Sequence, residues 1–424
     1  MRKNAGADDL WDVVVIGGGP AGMMAAGTAA RLGKSVLLLE KNPTLGKKLL
    51  ITGGGRCNLT NNKPEVRTML AKYKGSGKFL FSAFSQFGVK ETIQFFNERG
   101  LNTKEEAEGR IFPASDKAQS VWDVLVAYIK DGGVRIQTNA AVTSLSPSKA
   151  GDIVIRLEDR SGQKGKTEIL AHSCIVATGG TSRPETGSTG DGFLWLKKNG
   201  HKIVDNDLAL VPVTLKDAWV KNLGGVTLKD VKLTTLQNGQ CHEVQKGRLL
   251  FTHVGVSGPT ILNMSRGIGE LLQYGEVIIE LDLFPSLDHG ALKQKLQELL
   301  TVESNKKLKN ILNKLIPAAL VSSILELAEL NGDTPNHSVR REDRIKLVKL
   351  FKAIPLNVKG LLGANKAVVS SGGVALEEID FKTMQSRLLQ NLYIIGDVLN
   401  IDRPSGGYSL QLAWTTGYVA GSNS

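Results

Sequence analysis

The N-terminal forty residues carry the clearest alternation of apolar runs and turns in the chain. DVVVI at 12–16 is a continuous apolar run and GGGPAG at 17–22 a turn. MMAAGTAARLG at 23–33 places small residues at helical spacing, and SVLLLE at 35–40 is a second apolar run closing on a carboxylate. Unbroken apolar runs bounded by turns predict strands buried on both faces, and the helix between them completes a βαβ unit. Helical periodicity returns at 78–100 and 117–131. VRIQTNAAVTSL, IVIRLED and EILAHSCIVATGG then read as short strands, the last ending in Thr178-Gly179-Gly180.

From about 200 to 285 the pattern changes to β-branched segments at close intervals: KIVDND, LVPVTL, GVTLKDVKLTTLQ, RLLFTH and EVIIELDLF. That spacing predicts a separate β domain. From 287 to 352 the chain turns helical and basic, with LKQKLQELL, KKLKNILNKLI, ALVSSILELAEL and RREDRIKLVKLFK; after Pro355, AVVSSGGV and NLYIIGDVL return to strand and glycine-turn chemistry. The expected fold class is α/β. A Rossmann-like dinucleotide-binding domain is made from both ends of the chain (1–198 and 355–424), with a β-barrel-like insert (199–286) and a small helical insert (287–354).

A length of 424 residues agrees with two or three domains. The balance of 53 Lys plus Arg against 41 Asp plus Glu, a net +12, favours polyanionic partners, although the same surplus also serves solubility alone. Three cysteines, Cys57, Cys174 and Cys241, are odd in number and lack metal-ligand spacing, so no metal centre is expected and a reducing compartment fits. No apolar run reaches the roughly 18 residues of a membrane span, and MRKNAGADDLW is not a secretory start. The expectation is a soluble, cytoplasmic chain.

Gly17-x-Gly19-x-x-Gly22 follows a strand and opens a helix, the context in which this motif binds a dinucleotide. Gly17 serves the tight turn and Gly19 the approach of backbone to a pyrophosphate at the helix N-terminus, beside Pro20 and Ala21. Gly22 serves helix-on-strand packing. Glu40, 18 residues after Gly22, is placed to accept from adenosine ribose hydroxyls and disfavours a 2′-phosphate; Lys41 adjoins it. CIVATGG and YIIGDVL, with Thr178, Gly179 and Asp397, resemble the segments that close over FAD in two-dinucleotide-fold flavoproteins. Val142 stands where such proteins read adenine with backbone atoms. FAD is therefore the expected cofactor.

More specific blocks run in order along the chain: KLLITGGGRCNLTN, GRIFPASDKAQSV, FTHVGVSGPTIL, SGGVALEEID and YIIGDVLNIDRPSGGYSLQLAW. Together they resemble the bacterial NAD(P)/FAD-dependent oxidoreductases called aminoacetone-oxidase-like or HI-type flavoproteins. The resemblance implies an FAD domain, a barrel-like domain and a helical domain. It also implies hydride addition to a conjugated C=C bond, known in the family for a uridine of 23S rRNA giving dihydrouridine and for bile-acid enones. One departure stands out: the family often has Glu and a following Asp-Gly where this chain has Asp397 and Asp402-Arg403-Pro404.

Among further candidates, Gly53, Gly54 and Gly55 would let amides approach the cofactor, while Arg56 and Lys48 would offset phosphate charge. Cys57 and His253 are candidate proton donors. Ser257, Gly258 and Pro259 shape the turn after His253. Gly406 and Gly407 would contact the isoalloxazine ahead of a helix N-terminus, with Tyr408 and Gln411 as flavin or substrate contacts or as core. Arg340, Arg341, Arg344, Lys346, Lys349 and Lys352, with Lys306, Lys307 and Lys309, form a candidate phosphate-binding face. The leading expectation is reduction of an rRNA uridine, with a small-molecule enone reductase and a flavin-based redox sensor as alternatives. No second GxGxxG follows, so NAD(P)H would reduce the flavin as a transient visitor.

Overall fold

The computed structural model describes residues 10–73, 75–158, 168–204, 210–362 and 372–424. The chain divides into two compact units: Met1–Asp207 with Val368–Ser424, and Leu208–Ala367.

The first unit is built on a seven-stranded sheet. Trp11–Ile16 pairs in parallel with Val36–Leu39 on one side and with Glu168–Val176 on the other, and Arg135–Gln137 extends the first edge. Glu168–Val176 changes partner along its length. Its first half pairs antiparallel with Ile153–Leu157, which pairs with Val142–Pro147, while its second half pairs in parallel with Leu392–Ile394. Val13, Val14, Val15, Leu38, Ile175, Val176 and Ile394 are all fully buried or nearly so, as strands covered on both faces require.

The last helix, Tyr408–Asn423, lies against the first, Pro20–Arg31. Gly417 and Gly421 make this possible, since a Cβ on them would come 2.5 Å from Ala21 O and 2.4 Å from Ala25 O. Close packing of small residues, four apart on one helix, thus joins the two ends of the chain. AVVSSGGV, expected as a strand, falls mostly outside the described residues; its end, Gly373–Val374, pairs with Ile203–Val204.

The second unit is a closed antiparallel barrel of six strands: Val213–Leu215, Gly255–Ser257, Gln240–Thr252, Thr227–Gln237, Ile278–Asp282 and Ile354–Leu361. The expected boundary at 355 therefore falls inside a barrel strand, because a strand read alone does not reveal its sheet. Four helices, His289–Val302, Leu308–Leu315, Ala318–Ala328 and Arg341–Lys352, lie between the last two strands and share one apolar core with the barrel. Pro259–Leu272 is a further helix, in a stretch between the strand-like segments RLLFTH and EVIIELDLF to which the sequence pattern assigned no element. Its Ile261, Met264 and Ile268 are fully buried at helical spacing.

Candidate functional site

Gly17 takes φ +107 and its amide donates to Leu39 O at 2.8 Å, which holds the turn between the first two strands. A Cβ there would meet Ala177 O at 2.5 Å, and one on Gly22 would meet Gly17 O at 1.9 Å. The protein itself excludes a side chain at both positions. Gly19 differs: at φ −79, its Cβ would meet nothing within 4 Å. It caps the twelve-residue first helix, with Pro20 next and Ala21 buried, and no side chain caps that terminus. Open space in front of uncapped helix amides is what an anionic pyrophosphate requires.

Glu40 is 8% exposed and already well supported. Its Oε2 accepts from Gly18 N at 2.8 Å and its Oε1 from the backbone and side-chain nitrogens of Asn42, each at 2.8 Å. A carboxylate oxygen accepts more than one hydrogen bond, so these bonds orient Glu40 without exhausting it. Ala140 N donates to Glu40 O and Asn139 N to Asn42 O, which lays the 139–142 segment, ending at Val142, alongside this turn. Lys41 Nζ bonds Thr189 Oγ1 at 2.5 Å and Asp191 Oδ2 at 2.8 Å, and Asn42 Nδ2 bonds Thr186 O. The segment after Thr178 and Gly179 is thereby tied down beside Glu40.

Lys48, on the helix Lys47–Ile51, reaches Ser182 Oγ at 2.7 Å and Asp397 Oδ2 at 3.3 Å, joining three segments distant in sequence. Asp397 also pairs with Arg403, whose side chain is 1% exposed and further bonds Ile401 O and Ser409 Oγ. Burial pushes the Asp397 carboxyl up, but Arg403 and then Lys48 outweigh it and hold the group below its usual range. Gly53, Gly54 and Gly55 all have positive φ, and a Cβ on Gly54 would meet nothing within 4 Å. Gly407, at φ +100, sits so close to Thr60 that a Cβ would come 2.4 Å from its backbone.

Several expected residues have other work. The Arg56 guanidinium lies 4.2 Å above the Phe112 ring and is engaged by Glu106 and Asp116, which raise its already high pKa further. Its donors are occupied by carboxylates brought from 50 and 60 residues away, so it does not offset phosphate charge in this structure. Cys57 is corrected more firmly: it is fully buried in the apolar core, and burial pushes its thiol up to about 12. A thiol with no exposed surface cannot hand a proton to a substrate.

Tyr408 is 5% exposed, packed edge-on against Tyr73, and burial pushes its phenol up to about 12. Gln411 is fully buried. Its amide nitrogen bonds Gly88 O, Thr92 Oγ1 and Thr415 Oγ1, and its oxygen accepts from Thr60 Oγ1 at 2.6 Å, so it braces the last helix as core. His253 belongs to the second unit. It is exposed on the turn between Gln240–Thr252 and Gly255–Ser257, its ring lying over Gly224, where a Cβ would be 2.6 Å from Cε1.

Half of the cations on the basic insert helix are neutralised: Arg340 pairs with Asp343, Lys346 with Glu329, and half-buried Lys352 with Asp282 at 2.7 Å. Lys307 and Lys309 share Asp333, and Lys306 bonds Glu303. Among the described residues no group of three His, Cys, Asp or Glu side chains could hold a metal ion, and no helix is long and apolar enough to cross a membrane.

A profile of the HI0933-like protein Rossmann domain matches residues 11–423. The chain belongs to the HI0933-like family. It is 32% identical over 411 residues to the 3-dehydro-bile acid delta(4,6)-reductase of Clostridium scindens, covering 96% of this chain and 97% of that one. It is 31% identical over 417 residues to the ribosomal RNA dihydrouridine synthase of Escherichia coli, covering 97% of each. Among solved structures it is similar to the 3-ketosteroid-delta4-(5alpha)-dehydrogenase of Rhodococcus jostii RHA1 (TM-score 0.52, 16% identity, 99% and 98% covered), a likeness of fold. The resemblance drawn from the motif blocks is borne out, and the chain is an FAD-dependent oxidoreductase.

In this HI0933-like chain the residues present fit the cofactor, since Gly19 leaves the uncapped amides of the first helix open in front of a turn braced by Glu40. Two residues that sequence reasoning passed over complete the cradle. Asn58, with its amide oriented to satisfy both ends, accepts from Gly407 N at 3.0 Å and donates to Thr60 O and Ile111 O. Asn61 Nδ2 donates to Gly406 O at 3.2 Å, while its buried Oδ1 has no partner among the described residues. The signal was present: two asparagines three apart, the first of them three residues after a triple glycine, supply side-chain amides to a turn that backbone alone cannot close.

Proposed function

We propose that the chain reduces a conjugated C=C bond, with a uridine of 23S rRNA, or of its precursor, as the substrate and dihydrouridine as the product. The observation that carries the reading is the near-complete, collinear likeness to relatives named for such reductions, together with a cofactor cradle built from both chain ends. Gly17–Gly22, Glu40, Lys41 and Val142 would hold the adenosine and pyrophosphate. Lys48, Gly54, Gly55, Thr178, Gly179, Asp397 and Gly407 would hold the remainder, with Tyr408 packed behind as support. FAD held there would supply the hydride for the β carbon of the activated double bond, with NAD(P)H as the source of the electron pair, and a side-chain acid would supply the proton for the α carbon.

With Cys57 buried, His253 is the residue we assign to that proton, on its chemistry and exposure. Exchange between reduced FAD and a base further requires the base to leave its stack, which single-stranded or partly folded RNA permits at least cost. The test is to delete the gene in the source strain and measure dihydrouridine in nuclease-digested 23S rRNA by mass spectrometry, with add-back of wild type and of His253→Ala. Loss on deletion and return with the wild type are expected. Unchanged dihydrouridine overturns the RNA substrate, and full rescue by His253→Ala overturns the assigned donor. The small-molecule enone reading has its own observation, the 32% identity to the bile-acid reductase, and predicts turnover indifferent to RNA and to salt.

A further inference from the structure

The insert helix has three of its six cations, Arg340, Lys346 and Lys352, engaged by acids, so it is not the obvious face for a polyanion. Between Asn62 and Gln86 the described residues include Lys63, Arg67, Lys72 and Lys78 against one exposed acid, Glu65. Among the described residues none of these four cations is in an ion pair or a side-chain hydrogen bond. Arg67, Lys72 and Lys78 are exposed and Lys63 is half-buried. A further cation, Lys74, lies outside the described residues.

The stretch is compact and firmly attached to the cofactor cradle. Val66–Leu70 and Gly77–Gln86 are two helices in contact, and Tyr73, 1% exposed between them, donates its hydroxyl to Tyr408 O at 2.8 Å. Lys63 N donates to Asn61 O at 2.7 Å, two residues from the amide that bonds Gly406 O. The charge therefore begins immediately beside the Gly406-Gly407 turn. Phe81 adds a second kind of recognition. It is 47% exposed, large and apolar, and three residues after Lys78 it shares that residue's helical face. Unpaired cations with an exposed aromatic among them make the pattern that binds single-stranded nucleic acid, phosphates to the charges and a base stacked on the ring.

We propose that Lys63, Arg67, Lys72, Lys78 and Phe81 form the surface that receives a single-stranded RNA segment and delivers it to the cofactor cradle. The proposal rests on the RNA reading above and locates it on the molecule. The experiment uses the full-length, FAD-loaded protein and a fluorescein-labelled single-stranded oligouridylate, with affinity read by anisotropy from 50 to 200 mM salt. The variants are Lys63→Gln/Arg67→Gln/Lys72→Gln/Lys78→Gln, Phe81→Ala, and the insert-helix control Arg341→Gln/Lys349→Gln.

Each phosphate contact on a single strand contributes about 0.7 to the salt slope, so the fourfold variant should lose about 3 from it. Across that salt range the wild-type affinity then falls about 50-fold further than the variant's. Phe81→Ala should weaken binding about tenfold without changing the slope. FAD affinity unchanged in each variant certifies the fold. Wild-type slope in the fourfold variant, or a larger loss in the insert-helix control, overturns the surface while leaving the RNA reading intact. No RNA binding by the wild type at 50 mM salt overturns both, and so does capture of anionic vesicles, but not RNA, through these residues.

Discussion

Gly19→Ala separates what the fold needs from what the cofactor needs. Gly19 has φ −79, a value alanine adopts freely, and the added methyl meets no protein atom within 4 Å. Alanine is the poorer N-cap by up to about 1 kcal/mol. The loss of unfolded-state freedom returns about 0.4–1 kcal/mol, so the apoprotein should be as stable as wild type to within about 1 kcal/mol. The methyl instead occupies the approach to the first helix amides. Losing one charge-assisted hydrogen bond to a phosphate there costs about 1.5–3 kcal/mol, which weakens FAD binding by about 10- to 150-fold. Gly22→Ala is the counter-case, since its methyl would lie 1.9 Å from Gly17 O and must displace backbone. It should lower the melting temperature of the apoprotein as well as FAD affinity. Thermal melts of both apoproteins and FAD titrations by flavin fluorescence give the two readings. A Gly19→Ala dissociation constant within about threefold of wild type, well under the hydrogen-bond value, would refute the assignment of that space to the pyrophosphate.

Three further outcomes follow from the same geometry. In the native protein at pH 8 a thiol reagent should titrate Cys241 alone, since Cys57 and Cys174 are buried with thiols pushed up to about 12, and Cys57→Ala should keep turnover; fast labelling of Cys57 contradicts its burial. Asp397 has a depressed folded-state pKa, so it contributes stability above its unfolded value that is lost as pH falls through the folded one. Arg403→Ala leaves burial opposed by Lys48 alone and should raise that pKa, moving the acid edge of stability to higher pH and costing about 3 kcal/mol at pH 7, as urea titrations between pH 4 and 8 would show. Arg56→Ala should leave FAD affinity and thermal stability near wild type, because exposed ion pairs contribute little; a tenfold loss of affinity would mean the guanidinium leaves Glu106 and Asp116 for a phosphate.

The βαβ unit was legible because each of its determinants is local. Val13–Val15, the glycine turn and Leu37–Leu39 are adjacent in sequence and interact with one another, so period and turn chemistry suffice to predict them. The same holds for the strand Glu168–Val176 and for Asp397 after Leu392–Ile394. What escaped was decided by distant partners. Ile354–Leu361 reads like any short strand, and only its pairing with Ile278–Asp282 and Val213–Leu215 assigns it to the barrel. Pro259–Leu272 was hidden by glycines at 267 and 269, which weaken a helical pattern, although Ile261, Met264 and Ile268 carry its buried face.

Within the candidate site the division follows the same physics. The glycine turns were legible as turns because their reason for being there is backbone geometry, which a motif encodes. The surroundings of the side chains were not legible, because a side chain's chemistry depends on whether it is buried and what it meets. Cys57 follows a glycine loop and looks reactive, yet its neighbours are core. Arg56 looks like a phosphate clamp until Glu106 and Asp116 arrive from another part of the chain. The basic residues make the same point, since Lys352 is taken by Asp282, seventy residues away, while the four cations after Asn62 form no ion pair among the described residues. Net charge is additive along a sequence, but the field a partner feels comes only from charges the fold leaves uncompensated. The surface for a polyanion is therefore sought among the cations that the ion pairs leave over, and one group of them lies beside the cofactor cradle.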